Sequence, residues 1–233
     1  NTVYEDTDGS IWVGSYNGLS HYAQGAWTHV RANDGIPADE SVAAVLRDRA
    51  GRLWVGTGAG LYRRDAGDLR FRRVAGTATA AFAEDTAGAI WGADRESGFK
   101  LLAGTSAAMP DAPPASHPGA GRGLLVDRQG SLWVATRGAG LMRLSDGRVE
   151  RLTRVDGLGS DDVRDVFEDR DGAVWIATRR GLSRLTERSV RSAAPEVARD
   201  AFVYAVTSTG DGSVWTATAE GLARARAGRE QLY

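Results

Sequence analysis

A tryptophan that recurs every 37 to 42 residues, with the same neighbours each time, constrains the fold more than any other feature of the sequence. A glycine stands three positions before each tryptophan. An aspartate stands six positions before five of them, and Thr209 takes that place in the sixth copy. Chance does not repeat such a register six times, so the chain is predicted to be six copies of one unit. The six tryptophans are Trp12, Trp54, Trp91, Trp133, Trp175 and Trp215.

Each unit is predicted to contain four short strands. The Asp-x-x-Gly segment is typical of a hairpin turn, because aspartate can accept hydrogen bonds from the amides of its own turn and glycine tolerates a positive φ. The run after it, such as residues 53–57, is rich in β-branched and aromatic residues, as expected for a strand covered on both faces. The small residue after each Trp-x pair predicts a closely approaching neighbour sheet. Third strands are predicted at 140–144 and 181–185, and fourth strands at 26–30, 69–71, 148–152 and 230–233.

Four strands in a unit of about 40 residues are typical of a propeller blade, and the runs are too short for helical repeats. The sequence therefore predicts an all-β fold, a β-propeller of six four-stranded blades that forms a single domain over residues 1–233. The alternative is that the six blades are an incomplete part of a seven-bladed or larger propeller. The third repeat is degenerate, with a Pro-rich loop predicted at 109–118.

Composition and motifs exclude several classes of function. The net charge of −1 shows no bias towards nucleic acid, and no segment is apolar enough to predict membrane insertion. The absence of cysteine excludes disulfides, thiolate chemistry and cysteine-ligated metal. No nucleophile elbow, phosphate loop or metalloprotease motif is present. The chain is therefore predicted to be no enzyme, with no catalytic residues, no cofactor and no metal site.

The candidate binding residues lie in the connectors from each fourth strand to the next first strand, because these vary most between the repeats. The repeat tryptophans are interpreted instead as structural residues that pack between blades. Asp34-Gly35 and Asp156-Gly157 are equally well explained by turn formation. The predicted ligand-binding residues are Asn33, Asp34, Asp39, His117, Arg122, Arg154, Asp156 and Asp162.

A row of arginines occupies one register of the third strands. Such a row is interpreted as a rim whose side-chain stems cover apolar surface while their charged ends stay in water. An anion-binding ring is the alternative. The row consists of Arg63, Arg143, Arg184 and Arg224, with His21 and Leu101 in the other two copies.

The unit Asp-x-x-Gly-x-Leu-Trp-Val-Gly-Thr-x-x-Gly-Leu, clearest at residues 48–61, resembles the two-component regulator propeller repeat, as does the connector at 34–37. Members of this family are similar in being periplasmic sensor regions of proteins whose output is a histidine kinase, hybrid kinase or diguanylate cyclase. Some of them sense oligosaccharides. The resemblance implies a periplasmic ligand-sensing module of a bacterial two-component or cyclic-dinucleotide signalling protein, with a small-molecule ligand and the rest of that protein as partners.

Two other classes of function stay open at this point. The chain could be a protein–protein interaction scaffold without a small ligand, and its location could be cytoplasmic. A propeller enzyme, such as a lyase or glycosidase, shares the predicted architecture but has no support among these residues.

Overall fold

The computed structural model describes residues 2–94, 96, 98–104, 120–186, 189–192, 202–209, 211–226 and 229–233. The chain divides into two compact units. The first unit comprises residues 1–95 and 100–106, and the second comprises residues 96–99 and 107–233. The predicted Pro-rich loop at 109–118 lies outside the described residues.

The first three blades follow one another along the chain, and the strands of each sheet are hydrogen-bonded in sequence order. A 3-10 helix at Ala32–Asp34 precedes the second blade. In the third blade the described residues form three strands, and residues 105–119, after the last of them, are not described. The strands of blade one are β1 (Thr2–Glu5), β2 (Ile11–Ser15), β3 (Gly18–Ala23) and β4 (Ala26–His29); those of blade two are β5 (Val42–Arg47), β6 (Leu53–Thr57), β7 (Leu61–Arg64) and β8 (Arg72–Ala75); those of blade three are β9 (Ala81–Glu84), β10 (Ile90–Asp94) and β11 (Gly98–Ala103).

The last three blades are four-stranded and have the same strand order. A second 3-10 helix, Arg154–Asp156, precedes blade five. The strands of blade four are β12 (Gly121–Val126), β13 (Leu132–Thr136), β14 (Leu141–Ser145) and β15 (Arg148–Leu152); those of blade five are β16 (Val163–Glu168), β17 (Val174–Thr178), β18 (Gly181–Thr186) and β19 (Ser189–Ser192); those of blade six are β20 (Val203–Ser208), β21 (Val214–Thr218), β22 (Leu222–Arg226) and β23 (Arg229–Leu232).

Within each unit the first strands of successive blades lie side by side: β1 contacts β5 and β5 contacts β9, while β12 contacts β16 and β16 contacts β20. Six antiparallel sheets with consecutive strand order and neighbouring first strands are blades of a propeller. The predicted fold class, an all-β propeller of six blades, is confirmed.

The turn chemistry predicted for the repeat is also confirmed. All six turn glycines have a positive φ, between 78° and 83°. In the second blade, for example, the Gly51 amide donates to the Asp48 carbonyl and the Asp48 amide donates to the Arg52 carbonyl. In blade two the small residue is a glycine, and a Cβ added at Gly56 would overlap the Thr79 carbonyl oxygen in the connector to blade three.

The strand predicted at 69–71 is wrong, because the fourth strand of blade two begins only at Arg72. Phe71 instead lies outside the strand and makes its backbone hydrogen bond to a connector. Its amide donates to the Asp34 carbonyl at 2.7 Å, and its ring is buried in the core shared by blades one and two. A connector residue 37 positions earlier therefore sets the start of the strand.

Two ends of each blade are distinguished below. The turn end carries the turns between strands one and two and between strands three and four. The loop end carries the turn between strands two and three and the connector to the next blade. Because the strands are antiparallel, these two ends lie at opposite ends of the strands.

Candidate ligand site at the loop end

The aspartate and the tryptophan of each repeat meet at the turn end. One carboxylate oxygen of Asp127 accepts the Ser131 amide at 2.7 Å, and the other accepts the Trp133 indole N–H, also at 2.7 Å. The same indole bond recurs in all five copies that have the aspartate, and Trp215 instead donates to the Thr209 hydroxyl at 3.3 Å. The aspartate thus accepts hydrogen bonds from a turn amide and from the indole N–H. Without the aspartate, the indole N–H would be a buried donor without a partner.

The first of these aspartates, Asp6, has a lowered pKa. Burial raises the pKa of Asp6, but the hydrogen bonds from Arg47, the Thr7 amide and Trp12 outweigh burial and lower the pKa to about 2. The Arg47 guanidinium lies 2.6 Å from the carboxylate and belongs to the first strand of the next blade. Charge at the turn end therefore links blade one to blade two.

The arginine row lies on the repeat tryptophans. The guanidinium carbons stand 5.2–5.4 Å from the indole centroids, a cation–π distance, and the side chains are 29–38% exposed. His21 stacks on Trp12 in the same register, with the ring centroids 3.9 Å apart. The four arginines, called the stacked arginines below, are Arg63 on Trp54, Arg143 on Trp133, Arg184 on Trp175 and Arg224 on Trp215.

The connectors at the loop end use their aspartates as caps. One Asp34 oxygen accepts the Arg31 amide, and one Asp156 oxygen accepts the Thr153 amide and hydroxyl. The glycine after each aspartate has a φ above 100°, which glycine adopts most readily. The next residue, Ile36 or Leu158, is buried in a core cluster.

The predicted ligand residues fall into two groups. In the first unit, Asn33 and Asp39 are exposed, and the Asn33 carbonyl accepts the Arg70 guanidinium. In the second unit, Arg122 and Asp162 come together, with a nitrogen and an oxygen 3.9 Å apart. Arg154 lies in the same connector as Asp162 and is exposed. His117 lies outside the described residues.

Asp162 is the centre of a charged cluster. It also lies 3.4 Å from Arg164, whose guanidinium stands 4.5 Å from the Phe202 ring centroid. The Oδ1 atom of Asp162 and the Nε atom of Arg164 are buried and make no hydrogen bond within the described part of the chain. Buried polar atoms without partners are rare and call for a ligand, an ion or water.

A pocket of about 320 Å³ opens beside this cluster, at the loop end of blades four and five. This volume lies at the lower end of the range for small-molecule sites, roughly 300–1,000 Å³. Three of the lining residues are exposed arginines, Arg154, Arg179 and Arg180, called the pocket arginines below. The remaining lining residues are Gly138, Ser160, Asp161 and Asp162.

One carboxyl of the inner strands has a raised pKa. Burial raises the pKa of Asp165 to about 6, although its carboxylate accepts hydrogen bonds from the Val166 and Val206 amides. The residues in the same register of other blades are small, such as Ala44, Gly123 and Ala205. Asp165 is therefore an acid in a position where blades two, four and six have alanine or glycine.

The repeats match a known family over three segments. Residues 1–17, 35–59 and 157–180 fit the model of the two component regulator propeller. Within these three segments the chain is similar to the repeats of this family. The resemblance expected from residues 48–61 and 34–37 is thereby confirmed.

Solved structures with the same fold belong to several kinds of propeller. The extracellular domain of BT4673 from B. thetaiotaomicron, described as a hybrid two component system, is 19% identical with a TM-score of 0.79; the match covers 99% of this chain and 36% of that domain. Virginiamycin B lyase from Staphylococcus aureus is 14% identical with a TM-score of 0.77 and coverage of 99% and 82%. PorZ, a surface component of the type-IX secretion system of Porphyromonas gingivalis, is 17% identical with a TM-score of 0.66 and coverage of 95% and 37%. At these identities the likeness shows a shared propeller fold.

The chain spans little more than a third of the length of the BT4673 domain. No curated protein matches its sequence. In the described part of the chain, no helix has the length and apolarity needed to cross a membrane, and no group of three or more side chains is suited to hold a metal ion.

The sequence prediction missed Arg164, Arg179, Arg180 and Phe202. A signal for two of them exists in the turn between strands two and three, where blade five has Thr178-Arg179-Arg180-Gly181 and blade two has small residues at 57–60. Arg164 and Phe202 carry no such signal, because their proximity depends on how blade five packs against blade six.

Proposed function

We propose that this propeller is the ligand-sensing module of a bacterial signalling protein and that it works outside the cytoplasm. The family repeats support this proposal, as does the fold shared with the extracellular domain of a described hybrid two component system. Its partners are a small-molecule ligand and the rest of the parent protein, whose output is a kinase or a diguanylate cyclase.

The observation that carries the proposal is the pocket at the loop end of blades four and five. Predicted residues Arg154 and Asp162 line it, and Arg122 pairs with Asp162. Asp156 ends the 3-10 helix that holds Arg154 in place. In the first unit, Asn33, Asp34 and Asp39 occupy the equivalent connector, and we assign them to contacts with the same ligand class or with the parent protein.

Binding to the purified chain tests the proposal. A library of small molecules that includes sugars, amino acids and organic and inorganic anions is screened by thermal shift, and each hit is titrated by calorimetry. We expect at least one saturable ligand whose affinity falls when Arg154 is replaced by alanine. The exposed Arg148, at the turn end of blade four, provides the matched control, because its replacement removes the same charge away from the pocket.

The second candidate function is a protein–protein interaction scaffold, and the exposure of apolar side chains favours it. Val155 is 96% exposed at the tip of the connector, and Tyr204 is 53% exposed. A protein partner that covers Val155 would remove this apolar side chain from water. If the library yields no ligand and a protein co-purifies with the chain in a manner that depends on Val155, the scaffold replaces the sensor.

A further inference from the structure

The pocket at the loop end has an excess of positive charge. Its cluster contains five arginines, the pocket arginines with Arg122 and Arg164, and two aspartates, Asp161 and Asp162. The arginines therefore outnumber the aspartates by three, and the cluster carries an excess of three positive charges. This local excess contrasts with the whole chain, whose net charge is −1.

The two aspartates are already engaged. The Oδ1 atom of Asp161 accepts the Arg154 amide at 2.7 Å, so this carboxylate serves the backbone. Asp162 lies between Arg122 and Arg164, both of which are largely buried. Across the described part of the chain, no carboxylate stands within 4.0 Å of the guanidinium group of a pocket arginine.

Hydrogen bonds of the main-chain amides order the segments that carry the pocket arginines. The Arg179 amide donates to the Asp162 carbonyl at 2.9 Å, and the Arg180 amide donates to the Thr178 hydroxyl at 3.2 Å. The Gly138 and Gly140 amides both donate to the Asp161 carbonyl, which joins the opposite wall to the same connector. A site whose backbone is already ordered loses less entropy when a ligand binds.

From this geometry we infer that the ligand of the pocket carries an oxyanion, a carboxylate, sulfate or phosphate group, which Arg154, Arg179 and Arg180 bind. The inference rests on the proposed function and names the chemical class of its ligand. Guanidinium groups recognise such oxyanions by paired, charge-assisted hydrogen bonds, which are stronger than neutral ones. Asp162, whose buried Oδ1 atom lacks a hydrogen-bond partner in the described part of the chain, lines the pocket, and a donor group of the ligand or a water molecule is accommodated there.

The size of the pocket limits the ligand to a small molecule. About 320 Å³ holds an oxyanion with a few further non-hydrogen atoms, not a polymer segment. A carboxylate, sulfate or phosphate group carries one or two negative charges and therefore offsets part of the excess of three positive charges.

The experiment uses the purified chain and three probes at low ionic strength: inorganic phosphate, sulfate and succinate. Each is titrated by calorimetry against the parent chain and against the double variant Arg179→Gln/Arg180→Gln. The control variant Arg148→Gln/Arg170→Gln removes the same charge from exposed positions at the turn end of blades four and five. Thermal melts establish that all variants fold. The single variant Arg154→Gln removes a different positive charge from the same pocket.

We expect at least one probe to bind with a dissociation constant that rises by roughly tenfold or more in the pocket variants and by less than about twofold in the control. The probe that binds most tightly distinguishes the carboxylate, sulfate and phosphate sources. Equal weakening by both double variants would show general electrostatic attraction and overturn the inference.

The inference and the proposed function fail in different ways. If the library yields a neutral ligand that the arginine substitutions do not weaken and no anion binds, the inference is wrong while the sensing function stands. If neither anions nor any library compound bind, the sensing function is wrong, and the inference fails with it.

Discussion

The stacked arginines and the pocket arginines are the same residue type in two opposite situations. Each stacked arginine lies over an indole and is about two-thirds buried, as Arg143 is on Trp133. The pocket arginines, such as Arg179, are exposed and have no carboxylate within reach in the described residues. The stacked arginines occur at a register shared by four blades, whereas the pocket arginines occur where the blades differ. The comparison teaches that the arginines constant in the repeat are packed on indoles, whereas the arginines of this variable region stand without an indole or a carboxylate in the described part of the chain.

The largest effect that we expect on the structural side of this comparison comes from the tryptophan beneath a stacked arginine. Trp133→Ala removes a 2% exposed indole that packs between blades four and five, and should lower the free energy of unfolding by about 3–5 kcal/mol. Urea denaturation measures the loss. Trp27→Ala is the matched control, because Trp27 is 55% exposed on an outer strand, and a similar loss there would contradict the packing role.

The next effect comes from the aspartate that holds the tryptophan. Both oxygens of Asp127 accept hydrogen bonds, so Asp127→Asn turns its amide group towards a donor and should lower the free energy of unfolding by about 1–3 kcal/mol. Thr209→Asp restores the repeat aspartate in blade six and should stabilise the chain. Chemical denaturation compares the two variants, and a loss of stability in both would show that the Asp–Trp bond is not what the repeat preserves.

Asp165, an acid that belongs to neither set of arginines, is expected to make the stability of the chain depend on pH. The pKa of Asp165 is raised to about 6 in the folded chain, above its usual value of 3.8, so the folded state binds the proton more tightly than the unfolded state does. Protonation of Asp165 therefore raises the free energy of unfolding as the pH falls from 7 through 6 towards 4. The increase between pH 7 and pH 5 is on the order of 1 kcal/mol.

Thermal melts at several pH values check this expectation. Asp165→Asn should remove that part of the pH dependence and stabilise the chain at pH 7. Asp6 acts with the opposite sign at lower pH, since its pKa of about 2 is depressed and its stabilisation is lost as the pH falls from 3.8 towards 2. An unchanged pH profile in Asp165→Asn between pH 7 and pH 5 would exclude Asp165 as the source.

The smallest effect is the most direct test of the two arginine sets. Arg143→Gln removes a cation–π contact and should lower the free energy of unfolding by roughly 0.5–1 kcal/mol, whereas Arg180→Gln should change it by less than about 0.5 kcal/mol. Denaturation of the two variants under identical conditions gives the difference. Equal losses would mean that the two sets do not differ in structural role.

Much of the blade could be predicted because its determinants are local. The aspartate, the glycine and the tryptophan of a turn lie within seven residues of one another, and a positive φ at Gly51 or Gly172 follows from the turn itself. The arginine row was predicted as a register, but its stacking on tryptophan was not. The strand at 69–71 was misplaced because its start depends on Asp34, far away in the sequence.

The candidate site could be predicted only as a surface. Variable connectors pointed to the loop end, and among the predicted residues Arg154 and Asp162 do line the pocket. Asp34 and Asp156 proved to be caps of their own turns, which their Asp-Gly context had allowed. Arg164 and Phe202 could not be found, because 38 residues separate them along the chain and the packing of two blades brings them together.

The sequence by itself determined the repeat, the strands and the residues that each blade needs, since these follow from hydrogen bonds and φ preferences within a few residues. The tertiary structure decided which arginines lie on indoles and which have neither an indole nor a carboxylate beside them in the described part of the chain. The physical reason is that the partner of a charge is chosen by proximity in space. Arg122 lies 40 residues before Asp162 in the sequence, and only the packing of blade four against blade five sets the distance between their charges.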